Sequence, residues 1–216
     1  MATRSSKKWK AKRPGGWDVL NVDKGIFPSS NKWGIPDLLY SFLEIPSSVK
    51  LSPFHLKTKG AAEICHFFLD DYRFERVWSR PSVYINMLKQ YYAVLTPDFS
   101  LYTDYPSTLN LYNTYRSRWL GRYWQEQGIR VIPTVGWAGT DSYEYCFSGV
   151  QKGSTIAISP PDLRKFKDGF YSGLQEAIRV IEPKAILSYG IFDVSKINFT
   201  REIIFFEKNY YRGGYQ

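Results

Sequence analysis

The stretch STIAISPPDLRKFKDGFYSGLQEAIRVIEPKAILSYG, residues 154–190, decides the fold. It opens on a near-continuous apolar run at 154–159, stopped by Pro160 and Pro161. It closes on a second run at 185–187, followed by Ser188, Tyr189 and Gly190. Between them Leu163, Phe166, Phe170, Leu174, Ala177, Ile178 and Ile181 recur at helical spacing, from near Asp162 to Pro183. A one-sided stripe of this kind predicts an amphipathic helix. The flanking runs are too short for helices and nearly continuous in apolar character, which suits strands covered on both faces, as in parallel sheets. Strand, helix, strand in this order makes a right-handed crossover unit.

The same pattern repeats outward from this unit. Apolar runs at 64–69, 93–96 and 129–135 end respectively at Asp70 and Asp71, at Pro97 and Asp98, and at Gly136 and Trp137. Pro81, suited to a first helical position, opens a helix carrying Tyr84, Met87, Leu88 and Tyr91. Ser107 is the expected N-cap of a long helix running to Gln127 and closed by Gly128, with Leu109, Tyr112, Tyr115, Trp119 and Tyr123 on its apolar face. A short turn of helix is expected at 143–147. A last strand is expected at 202–207, at an edge, where antiparallel pairing is open. Residues 17–22 read as a strand and 36–43 as a short helix. The fold class is α/β with a mainly parallel sheet, an incomplete or irregular TIM-like barrel, with an open doubly wound sheet as the alternative.

At 216 residues the chain suits one sizeable core. The division expected is a disordered basic arm at 1–16 and a single α/β domain at 17–216. Tyr, Phe and Trp number 17, 14 and 7, and most of these rings must be buried, since exposed they would form one large adhesive surface. Cys65 and Cys146 lie inside apolar stretches and read as buried thiols of a reducing compartment. No run approaches a membrane span and no h-region follows the basic start, so a cytoplasmic protein is expected, the host cytoplasm if phage-encoded.

Six of the nine excess positive charges fall on the first sixteen residues: Arg4, Lys7, Lys8, Lys10, Lys12 and Arg13. Such a tail could track phosphates with strong salt dependence, or merely solubilise the chain. On the long helix Arg116, Arg118 and Arg122 stand among Tyr112, Tyr115, Trp119 and Trp124. Arg118 and Arg122 share a face and could contact a nucleic-acid backbone. The plainer reading makes the aromatic stripe core and the arginines its solvated border.

In parallel α/β folds the working site lies at the C-terminal ends of the strands. Here those ends carry Asp70 and Asp71, then Asp98, the candidate catalytic carboxylates. They could share a divalent metal, divide acid and base roles, or supply a nucleophile. Arg73 would pair with Asp98 or hold an anionic group. Tyr102, Asp104, Trp137, Asp141 and Tyr189 complete the substrate-binding candidates. The plainer alternative makes Asp70 and Asp71 helix caps and Asp98 the start of an Asx-type turn. Gly-rich phosphate loops are absent, and with only His55 and His66 a His-based zinc site is disfavoured. The cofactor is left unknown, with a divalent metal open. Nucleic acid is the partner that the arm suggests.

Long phrases carry a resemblance. HFFLDDYRFERVW (66–78), RP (80–81), AVLTPDFSLYTDYP (93–106) and NTYRSRWLGRYWQEQGIRVIPTVGW (113–137), with Phe27 and Pro28 and the Trp33 to Pro36 segment before them, resemble the family called domain of unknown function 4417. The likeness spans roughly residues 25–190. It implies a phage or mobile-element origin and brings no activity or residue roles. The order of Pro97 and Asp98, the IPTVGW strand at 132–137 and the AIS strand end at 157–159 is also similar to the barrel of tRNA-guanine transglycosylases. This chain is shorter and lacks their cysteine-rich zinc subdomain, so the likeness is one of fold order only.

The reading that follows is a nucleic-acid-associated enzyme of a mobile element with carboxylate chemistry, either phosphodiester hydrolysis or base and glycosyl chemistry. The rivals are a nucleic-acid-binding protein without turnover and a partner-binding protein.

Overall fold

The computed structural model describes residues 18–55 and 61–208. Among them seven strands form two sheets: β1 (Lys50–Pro53), β2 (Glu63–His66), β3 (Ala93–Leu95) and β4 (Val131–Ile132) in one, and β5 (Thr155–Ile158), β6 (Ala185–Tyr189) and β7 (Glu202–Phe206) in the other. Strands follow one another in sequence order within each sheet, and every pairing is parallel. The fold is therefore mixed α/β with two parallel-only sheets. Helices α1 (Glu75–Ser79), α2 (Ile85–Leu88), α3 (Ser107–Glu126), α4 (Tyr143–Cys146) and α5 (Leu163–Ile181) fall between the strands.

One parallel bridge, Thr134 to Ala157, joins the sheets, with Val135 N donating to Ala157 O (2.8 Å) and Ala157 N to Pro133 O (2.9 Å). Upstream of it β4 and β5 diverge, and Ser41 bridges the gap. Its carbonyl accepts from Thr155 N (2.7 Å) and its hydroxyl donates to Val131 O (2.6 Å). This explains why 36–43 is irregular, outside any helix or strand, and not the expected short helix. Its backbone groups bond other elements, including Leu38 N to Gly149 O (2.8 Å) and Leu39 N to the Gln125 side chain (2.8 Å). Tertiary pairing has overridden local periodicity.

Three apolar clusters cover the sheets. One takes Phe67, Phe74, Val77, Trp78, Trp119, Leu120 and Trp124 from β2, α1, α3 and their loops. A second takes Ile156, Ile158, Ile186, Phe170, Leu174 and Ala177 from β5, β6 and α5. The third draws on every strand: Leu51, Ile64, Ala93 with Leu95, Ile132, Ala157, Leu187, and Ile204 with Phe206. Strands β2 to β7 thus have apolar neighbours on both faces, the condition that produces near-continuous apolar runs, whereas β1 gives only Leu51 to one cluster.

Helix α5 matches its sequence signals except at Phe166, where the backbone is non-helical (φ −120°, ψ 22°) and the ring is exposed and not part of the buried stripe. Asp162 caps it, accepting from Arg164 N (3.1 Å), and the chain turns out of it at Glu182 (φ 51°), just before Pro183. The expected helix after Pro81 is a 3-10 turn, Pro81–Tyr84, followed by the single turn α2. Ser107 is the first residue of α3 and its hydroxyl caps nothing; Pro106 precedes it. Residues 18–22 form turns, with Asn21 left-handed (φ 58°), so no strand runs there; Trp17 lies outside the described residues. Strand β7 is parallel to β6, not antiparallel. The connection 191–201 is long enough to cross back, and Phe192 anchors it against Phe170 of α5 (5.4 Å). Strand β1 leaves little trace in the sequence, since it is four residues ending in proline, which is tolerated at this edge position. Both cysteines are free and buried, as expected. Among the described residues no helix is long and apolar enough to cross a membrane.

Candidate functional site

Because all pairings and the bridge are parallel, the C-terminal ends of the strands share one rim. Asp71 follows β2, Asp98 follows β3, Gly136 follows β4, and Gly190 and Lys208 follow β6 and β7. The Asp71 carboxylate is held by the loop after β3. It accepts from Ser100 N (3.1 Å to Oδ2) and from Ser100 Oγ (3.0 Å to Oδ1). Asp98 leans toward the end of β4, and a β-carbon placed on Gly136 would stand 3.7 Å from its Oδ1.

Asp98 makes no hydrogen bond among the described residues, and burial pushes its carboxyl up to about 7. The Asp71 charge pushes the same way, while Lys208 and Arg118 pull against it. A carboxyl that changes protonation near neutrality is suited to proton transfer. Beneath it lies a cavity of about 20 Å³, the size of one water, lined by Asp98, Thr114, Ser117, Arg118, Thr134 and Cys146 among others.

The inner face of α3 builds the floor. Asn110, Asn113, Thr114, Ser117 and Arg118 are all buried there. Asn110 clamps Tyr102, donating to its O (2.8 Å) and accepting from its N (3.1 Å). Asn113 donates to Ser100 O (2.7 Å). Ser117 Oγ donates to Thr96 Oγ1 (3.1 Å), which accepts from Thr134 N (2.9 Å). Arg118, 2 % exposed, donates to the carbonyls of Thr134 (2.9 Å), Cys146 (2.9 Å) and Ser148 (3.1 Å). Burial lowers its guanidinium to about 10, so it stays charged at neutral pH beside Asp98. This corrects the expectation of a nucleic-acid contact at Arg118, which faces inward with its donors engaged. Arg116 is buried too, pairing Glu75 through both carboxylate oxygens (2.7 and 2.9 Å) over the Phe99 ring. Apolar periodicity missed this face because its residues are small or polar. The signal that could have found it is the i, i+3, i+4, i+7 spacing of Asn110, Asn113, Thr114 and Ser117.

A larger cleft of about 870 Å³ opens on the same rim at the ends of β5–β7, lined by Pro160, Pro161, Asp162, Leu163, Arg164, Gly190, Ile191, Glu207 and Lys208. Lys208 Nζ donates to the Pro160 carbonyl. Its stem crosses Gly190 (φ 116°), where a β-carbon would stand 2.6 Å from Lys208 Cε. Between the two sheets His66 meets Tyr189 (4.6 Å between rings), and Phe68 stacks on Tyr189 (5.4 Å, 6°). Burial pushes His66 down to about 4, and its Nδ1 accepts from Phe68 N (3.2 Å), so it is neutral at pH 7 with its proton on Nε2.

The remaining candidates divide. Asp70 is exposed, and its carbonyl accepts from Arg73 N (2.9 Å), opening the 3-10 turn Asp71–Arg73. Arg73 is partly buried, and its guanidinium makes no bond among the described residues, Asp98 included. Tyr102 is 50 % exposed and packs edge-on against Tyr105; Asp104 is exposed beside it. Asp141 accepts from Ser107 Oγ (3.4 Å) at the start of α3. Tyr189 is buried in the ring stack. Trp137 is wedged against α5, its Nε1 donating to Gly169 O (3.0 Å) and its ring packed on Phe170 (5.9 Å). Arg122 pairs Glu126 and donates to Asp37 O (2.8 Å). Lys7, Lys8, Lys10, Lys12 and Arg13 lie outside the described residues. Among the described residues no three His, Cys, Asp or Glu side chains gather in a way that could hold a metal ion. The Cys146 thiol, pushed up to about 12 by burial, stays protonated at neutral pH.

Residues 27–207 match the model of a family described as a domain of unknown function, DUF4417, and the chain belongs to that family. It is similar to the Gene 1 protein of Mycobacterium phage L5, 44% identical over 196 residues, covering 87% of this chain and 83% of that protein. The Gene 1 protein of Mycobacterium phage D29 is likewise 44% identical over 196 residues, covering 87% of this chain and 71% of the relative. No solved structure matches.

Proposed function

We propose that this phage-type protein is an enzyme built on an incomplete TIM-like barrel, with Asp98 as its proton-transfer residue and a nucleotide or nucleic acid as its substrate. The barrel reading is supported by strands that follow sequence order in parallel, by an apolar cluster fed from all seven, and by ring contact between the ends of β2 and β6. The observation that carries the chemistry is Asp98 itself. It is a strand-end carboxyl without a hydrogen-bond partner among the described residues, poised near neutrality beside a second carboxylate and two cations. Asp71 acts by position, its oxygens held by Ser100, and raises the proton affinity of Asp98. Because the described residues supply two close carboxylates and no third ligand, acid–base chemistry fits them better than a metal-centred reaction.

The test is turnover on a panel of nucleosides, nucleotides and short oligonucleotides. Asp98→Asn should lower kcat by roughly 10²–10⁴-fold while the circular dichroism spectrum is kept. An unchanged kcat removes Asp98 from the reaction. A second reading, binding without turnover, is favoured by the exposed Tyr72, Tyr102 and Tyr105 on this rim. It predicts salt-dependent DNA or RNA binding that weakens in a chain beginning at Gly16.

A further inference from the structure

The larger cleft is lined by two cations, Lys208 and Arg164, and two carboxylates, Asp162 and Glu207, and Lys208 has a specific seat in it. We infer that this cleft, at the ends of β5, β6 and β7, binds the phosphate group of a small phosphorylated ligand on Lys208. The lysine is not a casual surface cation. Its stem lies over Gly190, the one residue type that leaves room for Cε there and accepts φ 116° without strain. Its Nζ is directed by the Pro160 carbonyl, which takes one of three donors and leaves two for a ligand.

Among the described residues no carboxylate bonds Lys208, whose Nζ reaches only the Pro160 carbonyl. Asp162 also lines the cleft, but Arg164 neutralises it through two bonds (Nε to Oδ1 and Nη2 to Oδ2, both 3.0 Å). Glu207, exposed, is a second carboxylate of the lining. The buried Arg118 donates only to carbonyl and hydroxyl oxygens, so its charge is not cancelled by a directly bonded carboxylate. The groups facing Asp98 from neighbouring elements are Asp71 after β2, Lys208 after β7 and Arg118 on α3, with Cys146 of α4 across the small cavity. Lysine suits a phosphate as a compact point charge, and the cleft volume matches a nucleotide-sized molecule. That the phosphate delivers a reacting atom to Asp98 rests on the acid–base reading above; the phosphate seat does not.

The experiment is an amide-proton NMR titration of the full chain with inorganic phosphate, then with adenosine 5′-monophosphate, and with acetate as the carboxylate control. Phosphate should shift Gly190, Ile191 and Lys208, and the nucleotide should bind more tightly and extend the shifts along the cleft. Lys208→Met should weaken phosphate roughly tenfold or more. Gly190→Ala should do the same by displacing the lysine, whereas Lys184→Gln, at the start of β6, should change nothing. Shifts that persist in Lys208→Met, equal shifts with acetate, or none up to about 10 mM phosphate overturn the proposal. Calorimetry in two buffers of different ionisation enthalpy separates it from the acid–base reading. Proton uptake on phosphate binding at pH 7 that disappears in Asp98→Asn supports both. Binding without proton uptake leaves the seat standing and removes the coupling to Asp98.

Discussion

Gly173→Ala should destabilise the native protein and stabilise a variant that lacks the Trp137 indole. Gly173 sits mid-way along α5, where alanine is normally favoured over glycine by about 0.5–1 kcal/mol. Here a β-carbon would fall 2.1 Å from Trp137 Nε1 and 2.3 Å from Cε2, inside any allowed contact. The indole must therefore leave its groove. Its bond to Gly169 O is lost, at about 0.5–1.5 kcal/mol, and forced repacking adds about 1–3 kcal/mol. Set against the helix gain, the net loss is about 1–3 kcal/mol, or a few degrees in Tm for a chain of this length. In a Trp137→Ala background the clash is gone and only the helix gain remains, so the sign reverses. Urea unfolding of the four proteins in the double-mutant cycle measures this, with an expected coupling of about 2–4 kcal/mol. A Gly173→Ala protein as stable as the parent, or a coupling near zero, refutes the placement of Trp137 as a wedge and frees its ring for the substrate-stacking role.

Asp98 sets a pH dependence. Its native proton affinity is raised from 3.8 to about 7, so between those values the native state holds a proton that the unfolded chain has lost, and its contribution weakens as pH rises through 7. Asp98→Asn should therefore match the parent near pH 4 and exceed it by about 1–3 kcal/mol at pH 8, since the side chain is not wholly sealed from water; an advantage equal at both pH values removes the shifted carboxyl. Neutralising the neighbour with Asp71→Asn should move the Asp98 midpoint, followed by carboxyl-carbon NMR, downward; an upward move contradicts the like-charge contact. Arg118→Met should cost about 3–5 kcal/mol in chemical unfolding, because two buried carbonyls and one half-buried carbonyl lose a charged donor and Asp98 loses a neighbouring cation. A loss below about 1 kcal/mol would show those carbonyls to be solvated.

The repeated strand–helix pattern, the five apolar runs and helix α5 could be read directly, because burial on both faces and one-sided helical burial leave periodic traces in composition. The parallel direction followed from those units, and with it the rim where Asp71 and Asp98 meet. Three things depended on contacts distant along the chain. Residues 36–43 satisfy their backbone through β5, Gly149 and Gln125, partners far away in sequence, so local periodicity pointed to a helix that does not form. The inward face of α3 is polar because it bonds strand-end loops, and a hydrophobic scan reads such a face as solvated; hence Arg118 was assigned to the surface. Lys208 stands beside Asp98 only because β7 runs parallel to β6 and ends at the same rim, 110 positions further along the chain. Local propensity and burial patterns are short-range properties that the amino-acid order carries by itself. Which cation neighbours which carboxylate is decided by strand direction and packing, and the chemistry available to Asp98 is a property of the assembled tertiary structure.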